Sequence, residues 1–166
     1  MQRRIERVKP EPGQESVWDY PRPPAVEPVF ERVRIVFDDV VIVDTAAAVR
    51  VLETSHPPVY YVPLDDIDPA VLSRSARTSF CEYKGRAGYV SLVRNGRRSE
   101  DAGWFYEAPS RGFEALQGMV AFYPERVDAC FVGDEQVRAQ PGDFYGGWIT
   151  NAVVGPFKGG PGTWGW

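Results

Sequence analysis

The chain has 166 residues, a net charge of −4, and 43% hydrophobic and 25% charged side chains. This length corresponds to one domain with short terminal arms, and the hydrophobic fraction suffices for a packed core. The acidic balance argues against nucleic acid as a partner, because phosphate binding draws on a basic surface. Two cysteines and a single histidine are too few for a disulfide framework, a four-cysteine zinc site or a histidine-rich metal site.

The N-terminal residues MQRRIERVKPEPGQES are charged and lack the apolar stretch of a signal peptide. No segment approaches the roughly 18 consecutive apolar residues of a membrane span. We therefore expect a soluble, cytoplasmic protein that uses neither a metal nor a cofactor and that binds neither nucleic acid nor a membrane.

Composition divides the chain into an N-terminal arm (1–28), a core domain (29–141) and a C-terminal tail (142–166). The arm is polar and rich in proline, which favours extended or polyproline backbone. Trp18 and Tyr20 are unusual in a disordered leader. We expect them to dock the arm onto the domain, with a partner subunit as the alternative.

The first strands of the core follow the arm. Residues 32–37 (RVRIVF) alternate charged and apolar side chains, and residues 40–44 (VVIVD) are apolar and β-branched. The pair Asp38-Asp39 between them predicts a hairpin. Val59 to Val62, bounded by prolines, predicts a further strand.

Three segments predict short helices. Residues 46–54 (AAAVRVLET) follow Thr45, a candidate N-cap. Pro69 stands at a plausible first helical position within residues 65–73. Residues 111–119 are the third helical candidate.

The strongest β signal lies in the second half of the core. Residues 79–84, 87–94 and 97–107 are β-rich, and Asn95-Gly96 predicts a two-residue hairpin turn. Two further strands are expected at VAFY and VDACFV. The sequence lacks a βαβ rhythm and a glycine-rich phosphate loop, so the predicted fold class is mostly β, an α+β domain with only short helices.

The tail is rich in glycine and aromatic residues and carries Trp148, Trp164 and Trp166. Leaving each indole loose in water would cost on the order of 1–3 kcal/mol. We therefore expect the tail to pack on its own domain or on another subunit, and a homo-oligomer formed through the terminal arms is an open alternative.

The segment SFCEYKGRAGY (79–89) is the strongest candidate for a reactive or ligand-binding site, because it combines a thiol, two cations and three aromatic residues. A thiol near cations can have a lowered pKa, and lysine with arginine can hold an anion. An extended chain places Cys81 on one side of the segment and Lys84 and Arg86 on the other. Lys84 is read equally as the partner of Glu53 in an ion pair and as a ligand anchor. His56, in a turn-like SHPP stretch, is expected at the surface or in a capping position rather than in catalysis, and Cys130 is expected in the core.

Four blocks of the sequence are similar to those of a known family: LETSHPPVYYVP (52–63), FCEYKGRAGYVSL (80–92), AGWFYEAP (102–109) and VAFYPERVDACF (120–131). With them the chain resembles the bacterial family known as domain of unknown function number 427, labelled nucleotidyltransferase-like in some collections. The resemblance implies a small β-domain related to the β-tent arrangement of methionine sulfoxide reductase B and the ligand domain of cereblon. Relatives of that fold bind structural zinc through paired Cys-x-x-Cys motifs, whereas Cys81 and Cys130 stand alone, so no zinc is expected.

By analogy with that family, strand-borne aromatic residues and the Cys81–Lys84 segment surround a concave face of the sheet. The candidate ligand-binding residues are Glu53, Tyr60, Tyr61, Cys81, Lys84, Arg86, Tyr89, Trp104 and Tyr106. No catalytic residue is assigned, because no complete catalytic constellation is present.

Three functional hypotheses follow. The first is a domain that binds a small anionic or nucleotide-like molecule in an aromatic pocket lined by Lys84 and Arg86. The second is an enzyme that uses Cys81 or Lys84, in thiol or in acyl- or nucleotidyl-transfer chemistry. The third is a structural or assembly protein that uses its proline-rich arm and its tryptophan tail.

Overall fold

Short β-strands make up most of the regular structure in the computed structural model, which describes residues 4–166. In chain order the strands are β1 (Glu15–Ser16), β2 (Ala25–Pro28), β3 (Val33–Phe37), β4 (Val40–Thr45), β5 (Val49–Leu52), β6 (Val59–Pro63), β7 (Leu72–Cys81), β8 (Gly85–Arg94), β9 (Arg97–Tyr106), β10 (Met119–Phe122), β11 (Ala129–Val132), β12 (Glu135–Gln136), β13 (Arg138–Ala139), β14 (Trp148–Ile149) and β15 (Val153–Val154). The helical elements are 3-10 turns at Val17–Asp19, Leu64–Asp66, Pro69–Val71, Glu114–Leu116 and Pro124–Arg126. The prediction of a mostly β fold is confirmed.

A seven-stranded antiparallel sheet dominates the architecture, with strand order β2-β5-β6-β10-β9-β8-β7. A four-stranded sheet, β12-β11-β3-β4, packs against it, and the described strands form no closed barrel. Both predicted hairpin turns are confirmed: Asp38 and Asp39 join β3 to β4, and Asn95 and Gly96 join β8 to β9. All four residues have positive φ, as two-residue hairpin turns require.

The main hydrophobic core lies between these two sheets. From the four-stranded sheet, β3 contributes Val33, Ile35 and Phe37, all fully buried. From the large sheet, β8 contributes Leu92 and β10 contributes Phe122. Cys130 joins this core as predicted, and burial raises the pKa of its thiol well above the usual range.

The opposite face of the large sheet carries a second, mainly aromatic cluster. Successive residues of a strand point to opposite faces, so β6 directs Tyr60 into the main core and Tyr61 into the second cluster. Trp104 and Tyr106 of β9 share that second face, as their spacing predicts. This aromatic face positions the candidate site.

Both terminal segments lie against the rest of the chain. β1 pairs with β15 in parallel, and the indole Nε1 of Trp18 donates a 2.9 Å hydrogen bond to the carbonyl of Pro156. Trp148 is completely buried in the main core. Trp164, in contrast, is 78% exposed, so the expectation that it is packed away is wrong.

The helix predicted at residues 46–54 is wrong. Val49–Leu52 instead form β5, which pairs with β2 on one side and β6 on the other. Pairing on both edges outweighs the helix propensity of the alanine run. Pro69 does begin a helical turn, capped by the Asp68 side chain, but that turn ends at Val71.

No helix within residues 4–166 combines the length and apolar character needed to cross a membrane.

Candidate functional site

A cavity of about 370 Å³ opens on the aromatic face of the large sheet. Its floor comes from β6, β8, β9 and the residue after β10, and the β7–β8 hairpin forms one wall. The opposite wall belongs to the C-terminal tail, through Tyr145, Gly146 and Lys158. Strands and tail thus enclose a concave aromatic surface.

Five aromatic side chains line the floor: Tyr61, Tyr89, Trp104, Tyr106 and Tyr123. Trp104 donates from Nε1 to the hydroxyl of Tyr61 over 3.3 Å, and its ring centroid lies 4.6 Å from that of Tyr123. Burial raises the pKa of the Tyr61 and Tyr106 hydroxyls well above the usual range. The floor therefore offers ring faces with a few hydroxyl groups, of which those of Tyr61 and Tyr106 stay protonated at neutral pH.

Seven of the nine residues singled out from the sequence line this cavity. They are Glu53, Tyr61, Cys81, Lys84, Tyr89, Trp104 and Tyr106. Whether they bind a ligand stays a prediction.

Tyr60 and Arg86 lie outside the cavity. Tyr60 points to the other face of the sheet and stacks on Trp148. Arg86 is exposed on β8, where its neighbour Ala87 faces the cavity.

The prediction that the strand continues through residue 84 is wrong, because residues 82–84 form the turn between β7 and β8. The turn interrupts side-chain alternation, so Lys84 lines the cavity while Arg86 does not.

Arg77 and Arg126 also line the cavity, near the wall formed by the β7–β8 hairpin, and the sequence did not indicate either of them. The guanidinium of Arg77 lies 4.6 Å from the ring centroid of Tyr89, and that of Arg126 lies 4.3 Å from the ring centroid of Tyr123. Asp101 links them, since Arg126 donates to its carbonyl over 2.7 Å and Arg77 lies 3.7 Å from its carboxylate. These are contacts between segments distant in sequence, and no local motif signals them.

Lys84 is half-buried at the cavity wall. The ion pair expected between Lys84 and Glu53 is not formed, and among the described residues no carboxylate lies within 4.0 Å of the Lys84 ammonium. Lys158 adds a further cation, but its Nζ already donates to the backbone oxygen of Trp166 over 3.1 Å and lies 5.7 Å from the ring centroid of Tyr145. Lys84 is therefore the ammonium of this cavity that is most available to an anion.

His56 is buried, so the surface position expected for it is wrong. Its ring packs edge-on against Tyr145, with centroids 4.7 Å apart, and its Nδ1 lies 3.1 Å from Nε2 of Gln140. Burial lowers its pKa to about 4, and the cations Lys158, Lys84 and Arg22 act in the same direction. His56 is thus a neutral imidazole at pH 7.

The two cysteines have different environments. Cys81 is partly exposed, lines the cavity and packs against the aromatic cluster, whereas Cys130 is buried in the main core. Within residues 4–166, no group of three or more histidine, cysteine or acidic side chains is placed to hold a metal ion.

A second cavity, of about 420 Å³, lies between the N-terminal segment, β2 and the tail. Its one cation, Arg50, already forms ion pairs with Glu15 and Glu27. Tyr60 and the exposed Phe30 also line it. Because two carboxylates already pair with Arg50, this cavity is a poorer binding site for an anion than the first cavity.

No curated protein matches this chain. A family model described as Domain of unknown function (DUF427) matches residues 25–133, about two thirds of the sequence. The matched region contains the floor and the hairpin wall of the cavity, and it stops before the tail. The chain therefore belongs to the DUF427 family.

Proposed function

We propose that the cavity on the aromatic face binds a small anionic, nucleotide-like ligand. One observation carries this proposal: a floor of five aromatic rings stands beside four cations, namely Arg77, Lys84, Arg126 and Lys158. Arg86, expected among these cations, is not one of them.

Each half of this arrangement suits a part of a nucleotide. Aromatic faces stack on planar rings, and a stacked base contributes about 1–3 kcal/mol in proteins that bind single-stranded nucleic acid. Guanidinium and ammonium groups bind phosphate through charge-assisted hydrogen bonds. Because both kinds of group line one cavity, a ligand with a planar ring and a phosphate gains both interactions.

The carboxylates in the cavity set the charge balance. Glu53, Glu82 and Asp143 also line it, so the cations exceed the carboxylates by only one. This balance favours a ligand with a localised negative charge near the cations over a polyanion that fills the whole cavity.

Calorimetric titration of the native protein with the four nucleoside monophosphates and with inorganic phosphate tests the proposal. We expect at least one monophosphate to bind, and Lys84→Ala to weaken its binding about tenfold. Arg86→Ala is the matched control, since Arg86 is two residues away but outside the cavity. Equal affinity of the two variants, or no binding of any monophosphate, contradicts the proposal.

An enzyme that uses Cys81 is the second candidate, and one observation favours it: the Cys81 thiol is partly exposed in the same cavity. Nucleophilic chemistry requires a reactive thiolate near pH 7. Alkylation by iodoacetamide no faster than that of a free model thiol would remove this candidate. Transferase-type chemistry through Lys84 instead requires that Lys84→Ala abolish turnover.

A further inference from the structure

The orientation of the Gln140 amide is determined by three hydrogen bonds. Its Oε1 accepts from the backbone N–H of Gly147 over 3.0 Å, and its Nε2 donates to the carbonyl of Lys158 over 2.7 Å. The amide is almost fully buried. Nε2 is therefore the donor end of the side chain, and its second hydrogen points to Nδ1 of His56.

This contact fixes the tautomer of His56. An amide N–H needs an acceptor, so Nδ1 of the ring must carry the lone pair and Nε2 must carry the proton. The lowered pKa of His56, about 4, agrees with a neutral ring that holds one proton. At neutral pH, Nε2 is a hydrogen-bond donor and cannot act as a base.

The donor at Nε2 of His56 stands beside a free acceptor. The nearest carboxylate oxygen, Oε2 of Glu53, lies 3.6 Å from it, which is too long for a hydrogen bond. The side chains of His56 and Glu53 are only 10% and 26% exposed, and both line the cavity. Among the described residues neither Nε2 of His56 nor the Glu53 carboxylate has a hydrogen-bond partner.

Both groups face the cavity without a hydrogen-bond partner from the described residues, so a ligand can pair with each of them without breaking an existing hydrogen bond within the protein. We infer that Glu53 and His56 together recognise one edge of a planar group that presents an acceptor beside a donor. The acceptor meets the N–H of His56 and the donor meets the Glu53 carboxylate. Nucleobases and carboxamides share this chemistry. The inference rests on the proposed function, because it assigns the planar end of the same ligand.

Gln140 acts here as a positioning residue. We do not assign it a contact with the planar edge of the ligand. Its hydrogen bond to Nδ1 keeps the His56 proton on Nε2, the nitrogen beside Glu53. Because His56 is the only histidine in the chain, its nitrogen and proton resonances can be assigned without ambiguity.

The first test is nitrogen-detected nuclear magnetic resonance of this histidine in the native protein at pH 7. The Nε2–H tautomer is expected, and Gln140→Glu, whose carboxylate accepts but does not donate, should move the proton to Nδ1. A native ring protonated at Nδ1, or at both nitrogens, overturns the inference whether or not a ligand binds.

The second test compares ribose 5-phosphate with adenosine and uridine monophosphates and with nicotinamide mononucleotide. The last three carry an acceptor–donor edge and are expected to include a ligand that binds about tenfold more tightly than ribose 5-phosphate. The affinity for nicotinamide mononucleotide relative to the affinities for the two nucleobase monophosphates then shows whether the site prefers a carboxamide or a nucleobase. Glu53→Gln should reduce the preference over ribose 5-phosphate, whereas Glu82→Gln, which removes the same charge from the cavity, should change the affinity for all four phosphates alike and leave that preference intact.

The outcomes separate the two proposals. If ribose 5-phosphate binds as tightly as the others, the recognition of an edge is wrong, while anion binding in the cavity stands. If Glu53→Gln and Glu82→Gln behave alike, the assignment to Glu53 is wrong. If none of the four compounds binds, both proposals fail.

Discussion

The indole of Trp148 stacks on the phenol ring of Tyr60, with centroids 4.9 Å apart and planes inclined by 20°. Its Nε1 also donates to the carbonyl of Phe122 over 3.0 Å, and no part of the side chain is exposed. Thus a residue of the C-terminal tail lies inside the core between the two large sheets.

Replacing Trp148 by alanine should therefore destabilise the whole domain. Loss of a buried tryptophan leaves a cavity and costs about 3–5 kcal/mol. Trp164→Ala is the control, because that indole is largely exposed and its removal should change stability by about 0.5 kcal/mol or less. Urea unfolding followed by circular dichroism measures both, and equal effects would contradict the assigned packing.

Stability should fall as the pH is lowered towards 5 because of His56. Its pKa is about 4 in the folded protein and near 6.5 in an unfolded chain, so between these values the unfolded state binds more protons. The contribution of the neutral ring is complete above pH 6.5 and is lost as the pH falls towards 4. Between pH 7.5 and 5.0 the expected loss is about 2 kcal/mol.

The matched variant for this pH dependence is His56→Asn, which removes the titrating ring. Its free energy of unfolding should change less than that of the parent over the same interval. Parallel pH profiles would show that the histidine pKa is not lowered in the folded state.

Gly146 brings the tail against the cavity floor. A Cβ built there would lie 2.8 Å from Cζ3 of Trp104 and closer still to the neighbouring ring carbon, so alanine must displace the indole or the tail. Gly146→Ala should cost about 1–3 kcal/mol and alter tryptophan fluorescence. Gly165→Ala serves as the control, since nothing lies within 4 Å of its Cβ position. If both variants unfold at the same urea concentration, the assigned contact is incorrect.

The thiols should differ in reactivity. In the native protein a thiol reagent should modify Cys81, which is partly exposed, and spare Cys130, which is buried and whose thiol pKa is raised by burial. We expect one thiol per chain to react before denaturation and two after it. Cys81→Ser should abolish the native reaction, and a remaining fast thiol would place Cys130 at the surface.

Strand patterns in the sequence predict much of this fold, because alternation and turn chemistry are local properties. The alternating residues 33–37 and the turn at Asn95-Gly96 are examples. Residues 49–52 are an exception, since their extended conformation depends on pairing with β6 on one edge and on the other with β2, which β3 and β4 separate from them in sequence.

The candidate site was only partly predictable for a related reason. Trp104 and Tyr106 share a face by spacing alone, but Tyr60 and Tyr61 are adjacent and only the sheet decides which one faces the cavity. Gln140 reaches His56 across 84 positions of sequence. Such a contact has no periodicity and no motif by which a single sequence could indicate it.

The wall that carries Gln140, Tyr145 and Lys158 lies beyond residue 133, where the family match ends. Two homologues could therefore inherit the same aromatic floor and differ in every residue that faces it from the tail. Sharing a floor does not establish sharing a ligand. A ligand found for one homologue should accordingly be transferred to another only after their tails have been compared as well.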